Sequence, residues 1–157
     1  MTIDVVLREP TPADAEQFHA FAAHPLVLPT VDATQVPSVE DVRTFLTELA
    51  GQPDAPRRER VIVVHDRVVG SIGLTLEGSS AEIGYVIHPD YWGRGVATRA
   101  AIEMVRLGFD ELGLTRIYAQ FSRENPASVR VVEKVGLHQV DDKTWEITAD
   151  EWAAAAA

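Results

Sequence analysis

A glycine-punctuated stretch near the middle of the chain holds the residue types best suited to binding a phosphate. Gly93 and Gly95 bracket Arg94, and apolar residues recur at helical spacing from Val96 onward. A glycine turn that leads into a helix leaves backbone N–H groups unpaired and directed at one point, where the helix dipole adds partial positive charge. The pattern predicts an anion site at a helix start, but a short Gly-x-Gly is also typical of an ordinary strand–helix turn.

A second polar helix start follows further along the chain. After a strand predicted over residues 116–121, Asn125 is expected to cap a helix and Ser128 falls in that helix's first turn. The first glycine turn also follows a strand, predicted over residues 81–87, in which Tyr85 shares a face with its apolar neighbours. Two strand–helix units in tandem, each with a polar helix start, predict a ligand crevice between them.

The rest of the chain supplies the elements that position this crevice. Capping boxes that begin at Thr11 and Ser38 predict helices reaching about Ala23 and Leu49. Residues 60–64 and 68–76 are predicted to form a hairpin, and residues 51–59 are interpreted as a polar connection that leads into it.

Length and composition predict one soluble domain. The chain has 157 residues, of which 46% are apolar and 24% are charged. Residues 1–152 are interpreted as the domain and the alanine run 153–157 as a tail. The absence of cysteine excludes disulfides and thiolate chemistry. Without a basic leader or a long apolar run, the sequence predicts a cytoplasmic protein that does not engage membranes.

The charge balance favours cationic partners. The formal net charge is −10 and the pI is near 4.8. An acidic surface repels nucleic acid and attracts amines. We therefore expect an amine as the partner and no nucleic acid, and the sequence is compatible with a homodimer.

Taken together, these motifs resemble the GNAT superfamily of N-acyltransferases, and within it the Rim-like branch that acetylates ribosomal proteins. The matching segments are Glu82-Ile-Gly-Tyr85, Trp92-Gly-Arg-Gly-Val-Ala-Thr98, Gly108-Phe109 with Leu112-Gly-Leu114, Asn125-Pro-Ala-Ser128 and Glu133-Lys-Val-Gly136. The chain departs from the family pattern at Trp92, where Gln or Arg is usual, and at Leu137, where Phe is usual. The resemblance implies an α/β (α+β) fold whose mixed, mostly antiparallel sheet splays apart between two parallel strands and is flanked by helices.

The resemblance also implies acetyl-CoA as the co-substrate. No metal is expected, because the chain has no cysteine and its histidines show no metal-ligand spacing. The pyrophosphate would lie on the helix start formed by Arg94, Gly95, Val96, Ala97 and Thr98. The pantetheine arm would lie in the gap between the parallel strands. There it would contact the backbone of Tyr85, Val86 and Ile87, together with Asn125 and Ser128.

Acyl transfer to an amine needs a base, a stabilised carbonyl oxygen and a proton for the departing thiolate. The resemblance makes Glu82 the candidate base, and His88 is the alternative because imidazole titrates in the right range. Ser128 is the candidate acid. Tyr85 and Trp92 are interpreted as walls of the site.

Two functions from different classes remain open. The first is an acetyl-CoA-dependent N-acetyltransferase that acts on a primary amine, either a protein N-terminus or a small molecule. The second is a non-catalytic acyl-CoA-binding regulatory domain of the same fold. A Rossmann dinucleotide site lacks its third glycine here, and a P-loop lacks its Gly-Lys-Ser/Thr.

Overall fold

One mixed β-sheet organises the chain in the computed structural model, which describes residues 4–30, 35–52, 54–121 and 126–156. Within these residues the sheet has seven strands in the order β1-β2-β3-β4-β5-β7-β6. Neighbouring strands are antiparallel except for β4 and β5, which are parallel. The strands are β1 (Val6–Arg8), β2 (Arg57–Val64), β3 (Arg67–Glu77), β4 (Ser80–Ile87), β5 (Arg116–Gln120), β6 (His138–Gln139) and β7 (Thr144–Thr148).

Helices cover both faces of this sheet. They are α1 (Ala15–Ala22), α2 (Val39–Ala50), α3 (Val96–Asp110), α4 (Pro126–Val135) and α5 (Ala149–Ala156), with short 3₁₀ turns at Pro12–Asp14, Leu28–Thr30 and Pro89–Tyr91. The capping box at Ser38 is confirmed, because its hydroxyl accepts from the Asp41 N–H at 3.0 Å and Asp41 accepts from the Ser38 N–H at 2.9 Å. None of the described helices is long and apolar enough to cross a membrane.

Strand alternation divides the core between two faces. On one face, Ile72, Leu74 and Ile83 pack with α3 and α4 in the larger apolar cluster. On the other face, Val61 and Val86 pack with α1 and α2 in a smaller cluster. We call these the α3–α4 face and the α1–α2 face.

The parallel strands separate partway along their length. β4 and β5 pair only from Ser80 opposite Arg116 to Glu82 opposite Tyr118, although β4 continues to Ile87. On its other side β5 pairs with β7 along its whole length. The gap that opens beyond Glu82 confirms the predicted splay, and with it the expected fold class.

One boundary differs from the sequence-based expectation. The predicted connection over residues 51–59 is wrong at its end, because β2 already begins at Arg57. Its charged residues pair with β3, and the Glu59 carboxylate is buried beside the Arg57 guanidinium. At the other end of the described chain, α5 extends to Ala156, and its Trp152 packs on Phe109.

Candidate active site

A cleft of about 420 Å³ lies where β4 ends, between the first turns of α3 and α4. Its walls bring together most of the residues expected from the sequence to bind a ligand. Tyr85, Ile87, Gly95, Val96, Ala97, Thr98 and Ser128 line it, together with Tyr91, Trp92, Gly93, Ala127, Arg130, Val131 and Lys134. Asn125 lies outside the described residues, so its expected role remains a prediction.

The start of α3 forms one end of the cleft. Gly95 is the N-cap with φ of +80°, and Gly93 also has a left-handed backbone with φ of +73°. Among the described residues, no side chain caps the first N–H groups of α3. These N–H groups can therefore donate hydrogen bonds to an anion, as expected from the sequence.

Cationic side chains surround this helix start. Arg130 and Lys134 of α4 line the cleft itself. Lys134 also lines an adjoining cavity of about 690 Å³, which it shares with Thr98 and Arg99 of α3. The opening of the cleft therefore carries positively charged side chains although the protein as a whole is acidic. This local charge favours an anionic ligand at the opening.

The Arg94 side chain is not among those that line the cleft. Its guanidinium lies over the Tyr91 ring, 5.5 Å from the ring centroid. It lines a separate cavity that also contains Glu16 and His88. The expected contribution of Arg94 to phosphate binding therefore rests on its backbone.

Backbone alternation decides which groups of β4 face the gap. The His88 N–H donates to the Val69 carbonyl on β3 at 2.8 Å, and the Thr115 N–H donates to the Ser79 carbonyl at 2.8 Å on the opposite side. Because the backbone N–H and C=O groups of successive residues alternate in direction along a strand, those of Tyr85 and Ile87 point toward the gap. The backbone N–H and C=O groups of Val86 point toward β3, where Val86 is opposite Ser71.

Trp92 has a role that the sequence analysis missed. Its indole N–H donates to the Ile87 carbonyl at 2.8 Å and so ties the glycine turn to the end of β4. Nearly half of the side chain remains exposed. An aromatic residue beside two glycines gave no signal for this bond, because the bond depends on how the turn folds back.

Two hydroxyl groups meet inside the cleft. The Tyr85 hydroxyl is buried, and no described partner meets strict hydrogen-bond geometry with it. Burial raises the pKa of Tyr85, and an interaction with the Ser128 hydroxyl opposes that rise. The Tyr85 and Ser128 side chains thus interact within the cleft that both residues line.

Glu82 lies on the other face of the sheet from these hydroxyls. It is half-buried, opposite Thr75 on β3 and Tyr118 on β5, in the last row before the strands separate. Burial raises the pKa of Tyr118, and the nearby charges of Glu77 and Glu82 raise it further. Glu82 and Ser128 are thus not neighbours but flank the gap from opposite faces.

His88, the alternative base, is already engaged. Its Nδ1 accepts from the Asp90 N–H at 3.1 Å and so caps the 3₁₀ turn that follows β4. Its ring meets the edge of the His24 ring, with 5.2 Å between centroids. His88 also lines the separate cavity that contains the Arg94 side chain and is not among the residues that line the cleft.

Comparison with known proteins places these features in one family. A family model described as an acetyltransferase (GNAT) domain matches residues 4–138. The uncharacterized N-acetyltransferase YoaA of Bacillus subtilis is 30% identical over 141 residues, which cover 86% of this chain and 80% of YoaA. The uncharacterized N-acetyltransferase p20 of Bacillus licheniformis is 28% identical over 109 residues, which cover 68% of this chain but only 61% of p20.

Solved structures share the whole fold. A GNAT-family acetyltransferase from Bacillus anthracis has a TM-score of 0.81 at 26% identity, covering 96% of this chain and 99% of that one. A spermidine N-acetyltransferase from Vibrio cholerae, solved with CoA and spermine, has a TM-score of 0.80 at 18% identity, with coverage of 95% and 98%. At that identity the second likeness shows the fold alone.

Proposed function

Because this chain belongs to the GNAT acetyltransferase family, we propose that it transfers an acetyl group from acetyl-CoA to a primary amine, either on a small molecule or at a protein N-terminus. The observation that carries the proposal is the cleft at the strand gap. It has a glycine-capped helix start with cations at one end and the hydroxyls of Tyr85 and Ser128 at the other.

The charges and free backbone groups around the cleft support acetyl-CoA as its ligand. The free N–H groups at the start of α3, with Arg130 and Lys134 beside them, would hold the pyrophosphate. The backbone groups of Tyr85 and Ile87 that face the gap would pair with the amides of the pantetheine arm. An N–H group on this strand would also stabilise the carbonyl oxygen during attack.

Glu82 would prepare the amine on the α1–α2 face. An ammonium group cannot attack a thioester, so it must first lose a proton to a base, directly or through water. Glu82 stands at the edge of the gap on the face opposite the cleft. The amine would therefore attack through the gap from one face while the thiolate leaves on the other.

The two hydroxyls in the cleft would return a proton to the departing thiolate. A thiol has a reference pKa of about 8.5 and a phenol one of about 10, and burial raises the pKa of Tyr85 further, so the phenol carries its proton when the thiolate leaves. Ser128 would accordingly bond the sulfur and pass a proton on from Tyr85. The bond changes would balance as follows: the C–N bond forms as the C–S bond breaks, and the ammonium loses one proton to Glu82 before it attacks. Nitrogen loses its second proton after attack, and a proton from solvent replaces the one that Tyr85 passes through Ser128 to sulfur.

A pH–rate profile tests the base. Glu82→Gln keeps the shape of the side chain, so we expect normal acetyl-CoA binding and a slower reaction whose defect shrinks as the free amine becomes neutral at higher pH. For an α-amine the defect would shrink near pH 8, and for a lysine-like amine only above about pH 10. A mutant profile parallel to that of the unaltered protein would exclude Glu82 as the base.

Paired substitutions test the acid. Ser128→Ala and Tyr85→Phe should each lower kcat by roughly 10- to 1000-fold with little change in acetyl-CoA affinity. If they act as one relay, the double variant should be no slower than the worse single variant. Independent, additive losses would contradict the relay.

The remaining expectations stay proposals. Residues 1–152 would form the functional domain, the protein would act in the cytoplasm, and it would need neither metal nor nucleic acid. Whether it acts as a homodimer can be measured by light scattering.

A further inference from the structure

The Trp92 side chain connects the two ends of the cleft. Its backbone immediately precedes the glycine turn, and its indole N–H donates to the carbonyl of Ile87, the last residue of β4, at 2.8 Å. The side chain lines the cleft, is 48% exposed and belongs to neither apolar cluster of the described core. Core packing therefore does not explain this tryptophan, and its one directional bond beside the ligand cleft indicates a role in the cleft.

The indole takes the place of a strand partner at the end of β4. The Ile87 carbonyl points toward the gap, where β5 pairs with β4 only as far as Tyr118 opposite Glu82. On the other side of the same peptide group, the His88 N–H donates to the Val69 carbonyl at 2.8 Å. The Trp92 bond thus completes the hold on the peptide group that joins Ile87 to His88.

The glycine turn has one anchor on each side. Gly93 and Gly95 have left-handed backbones, and apart from their neighbours in the chain no described atom lies within 4 Å of either Cβ position. Val96, which is 1% exposed, fixes the helix side of the turn in the core. Because glycine restricts its own backbone least, the Trp92 bond is what fixes the strand side of the turn against β4.

We propose that Trp92 is a positioning residue that couples phosphate binding at the start of α3 to placement of the thioester in the gap. This inference rests on the proposed acetyl transfer from acetyl-CoA. Phosphates bound at the α3 start order the glycine turn, and the indole bond carries that order to the Ile87 peptide group. The end of β4 then presents its backbone to the pantetheine arm in one position, so binding energy from the phosphates serves the distant reacting group.

Two thioesters separate the two ends of the cleft. S-acetylpantetheine carries the thioester and the arm of acetyl-CoA but no phosphate, so it reacts without occupying the α3 start. Trp92→Phe keeps an aromatic ring in the cleft and removes only the bonding N–H. At one fixed amine concentration, we expect its kcat/KM for acetyl-CoA to fall about fivefold, the order of one neutral hydrogen bond. Its kcat/KM for S-acetylpantetheine should not change.

A second measurement detects the coupling in the unaltered protein. ADP carries a pyrophosphate without the arm, so it can occupy the α3 start while S-acetylpantetheine occupies the gap. At ADP concentrations that suppress the reaction of acetyl-CoA, we expect kcat/KM for S-acetylpantetheine to rise severalfold. Trp92→Phe should abolish this activation, because the bond that transmits it is gone.

Trp152→Phe is the matched control. Trp152 packs on Phe109, at the opposite end of α3 from the glycine turn, and does not line the cleft. The same substitution there should leave the ratio of the two kcat/KM values and the activation by ADP unchanged.

The outcomes distinguish this inference from the proposed function. An unchanged ratio of the two kcat/KM values in Trp92→Phe, or no activation by ADP in the unaltered protein, would show that Trp92 only stabilises the turn and would overturn the inference alone. A lack of turnover of acetyl-CoA with every amine would overturn the proposed function and this inference with it.

Discussion

Replacing Gly95 with alanine separates the ligand-binding role of the α3 start from its conformational role. Gly95 has φ of +80°, a region that costs a residue with a Cβ about 1–2 kcal/mol. Reduced freedom of the unfolded chain returns roughly 0.4–1 kcal/mol. The net loss of stability should be about 1 kcal/mol, or a fall in Tm of about 2–4 °C for a domain of this size.

The same methyl group should affect binding more strongly. Apart from its neighbours in the chain, no described residue has an atom within 4 Å of the Cβ position at Gly95, and Gly95 lines both cavities beside the α3 start. The methyl would therefore project into the space through which a phosphate approaches the backbone N–H groups. We expect acetyl-CoA affinity, measured by titration calorimetry, to fall at least tenfold, or about 1.4 kcal/mol.

Gly113 provides a control with the same strain in a different place. It has φ of +67° in the turn between α3 and β5, and its Cβ position is equally free of described atoms. Gly113→Ala should lower Tm about as much as Gly95→Ala and leave acetyl-CoA affinity unchanged. Equal affinity losses in both variants, or none in Gly95→Ala, would refute phosphate binding at this helix start.

Three other predictions concern stability. Two hydrogen bonds from the Arg8 guanidinium, at 2.7 and 2.8 Å, lower the pKa of the Asp14 carboxyl. The stabilisation that these bonds give is complete above the ordinary aspartate pKa of 3.8 and is lost as the pH falls through the lowered pKa. Asp14→Asn should therefore lower the free energy of unfolding, measured in urea at pH 7, by about 1–2 kcal/mol, and the difference should vanish toward pH 2. Gly108→Ala would bring a methyl within 2.8 Å of Ile117 Cδ1, and this overpacking should outweigh the gain in helix propensity and lower Tm. Asp66 has φ of +65° in the β2–β3 turn, so Asp66→Gly should stabilise by roughly 0.5–1 kcal/mol, and an unchanged or lower Tm would contradict this.

Local chemistry made much of the fold predictable from the sequence. The capping boxes at Thr11 and Ser38 and the glycine turn before Val96 each specify a helix start within a few residues, and the structure has helical turns at all three. The splay followed from the family resemblance rather than from spacing, because the divergence of two strands depends on residues far apart in the chain.

The features that the sequence did not reveal depend on long-range contacts. Arg57 and Glu59 look like part of a polar loop, yet Glu59 is buried because Arg57 and Ser71 bond it and Gly73 leaves room for it. The bond from the Trp92 indole to the Ile87 carbonyl likewise exists only once the glycine turn has folded back. A residue's type gives no indication of such partners until the strands are in register.

The central claim is that the cleft supports acetyl transfer and not only acyl-CoA binding. The most direct measurement incubates the protein with acetyl-CoA and a panel of primary amines, following CoA thiol release and the mass of each amine. We expect thiol release that requires an amine, matched by amines that gain one acetyl group, and a slower reaction in Ser128→Ala. Tight acetyl-CoA binding with no amine-dependent thiol release would contradict it and would instead indicate a non-catalytic acyl-CoA-binding domain.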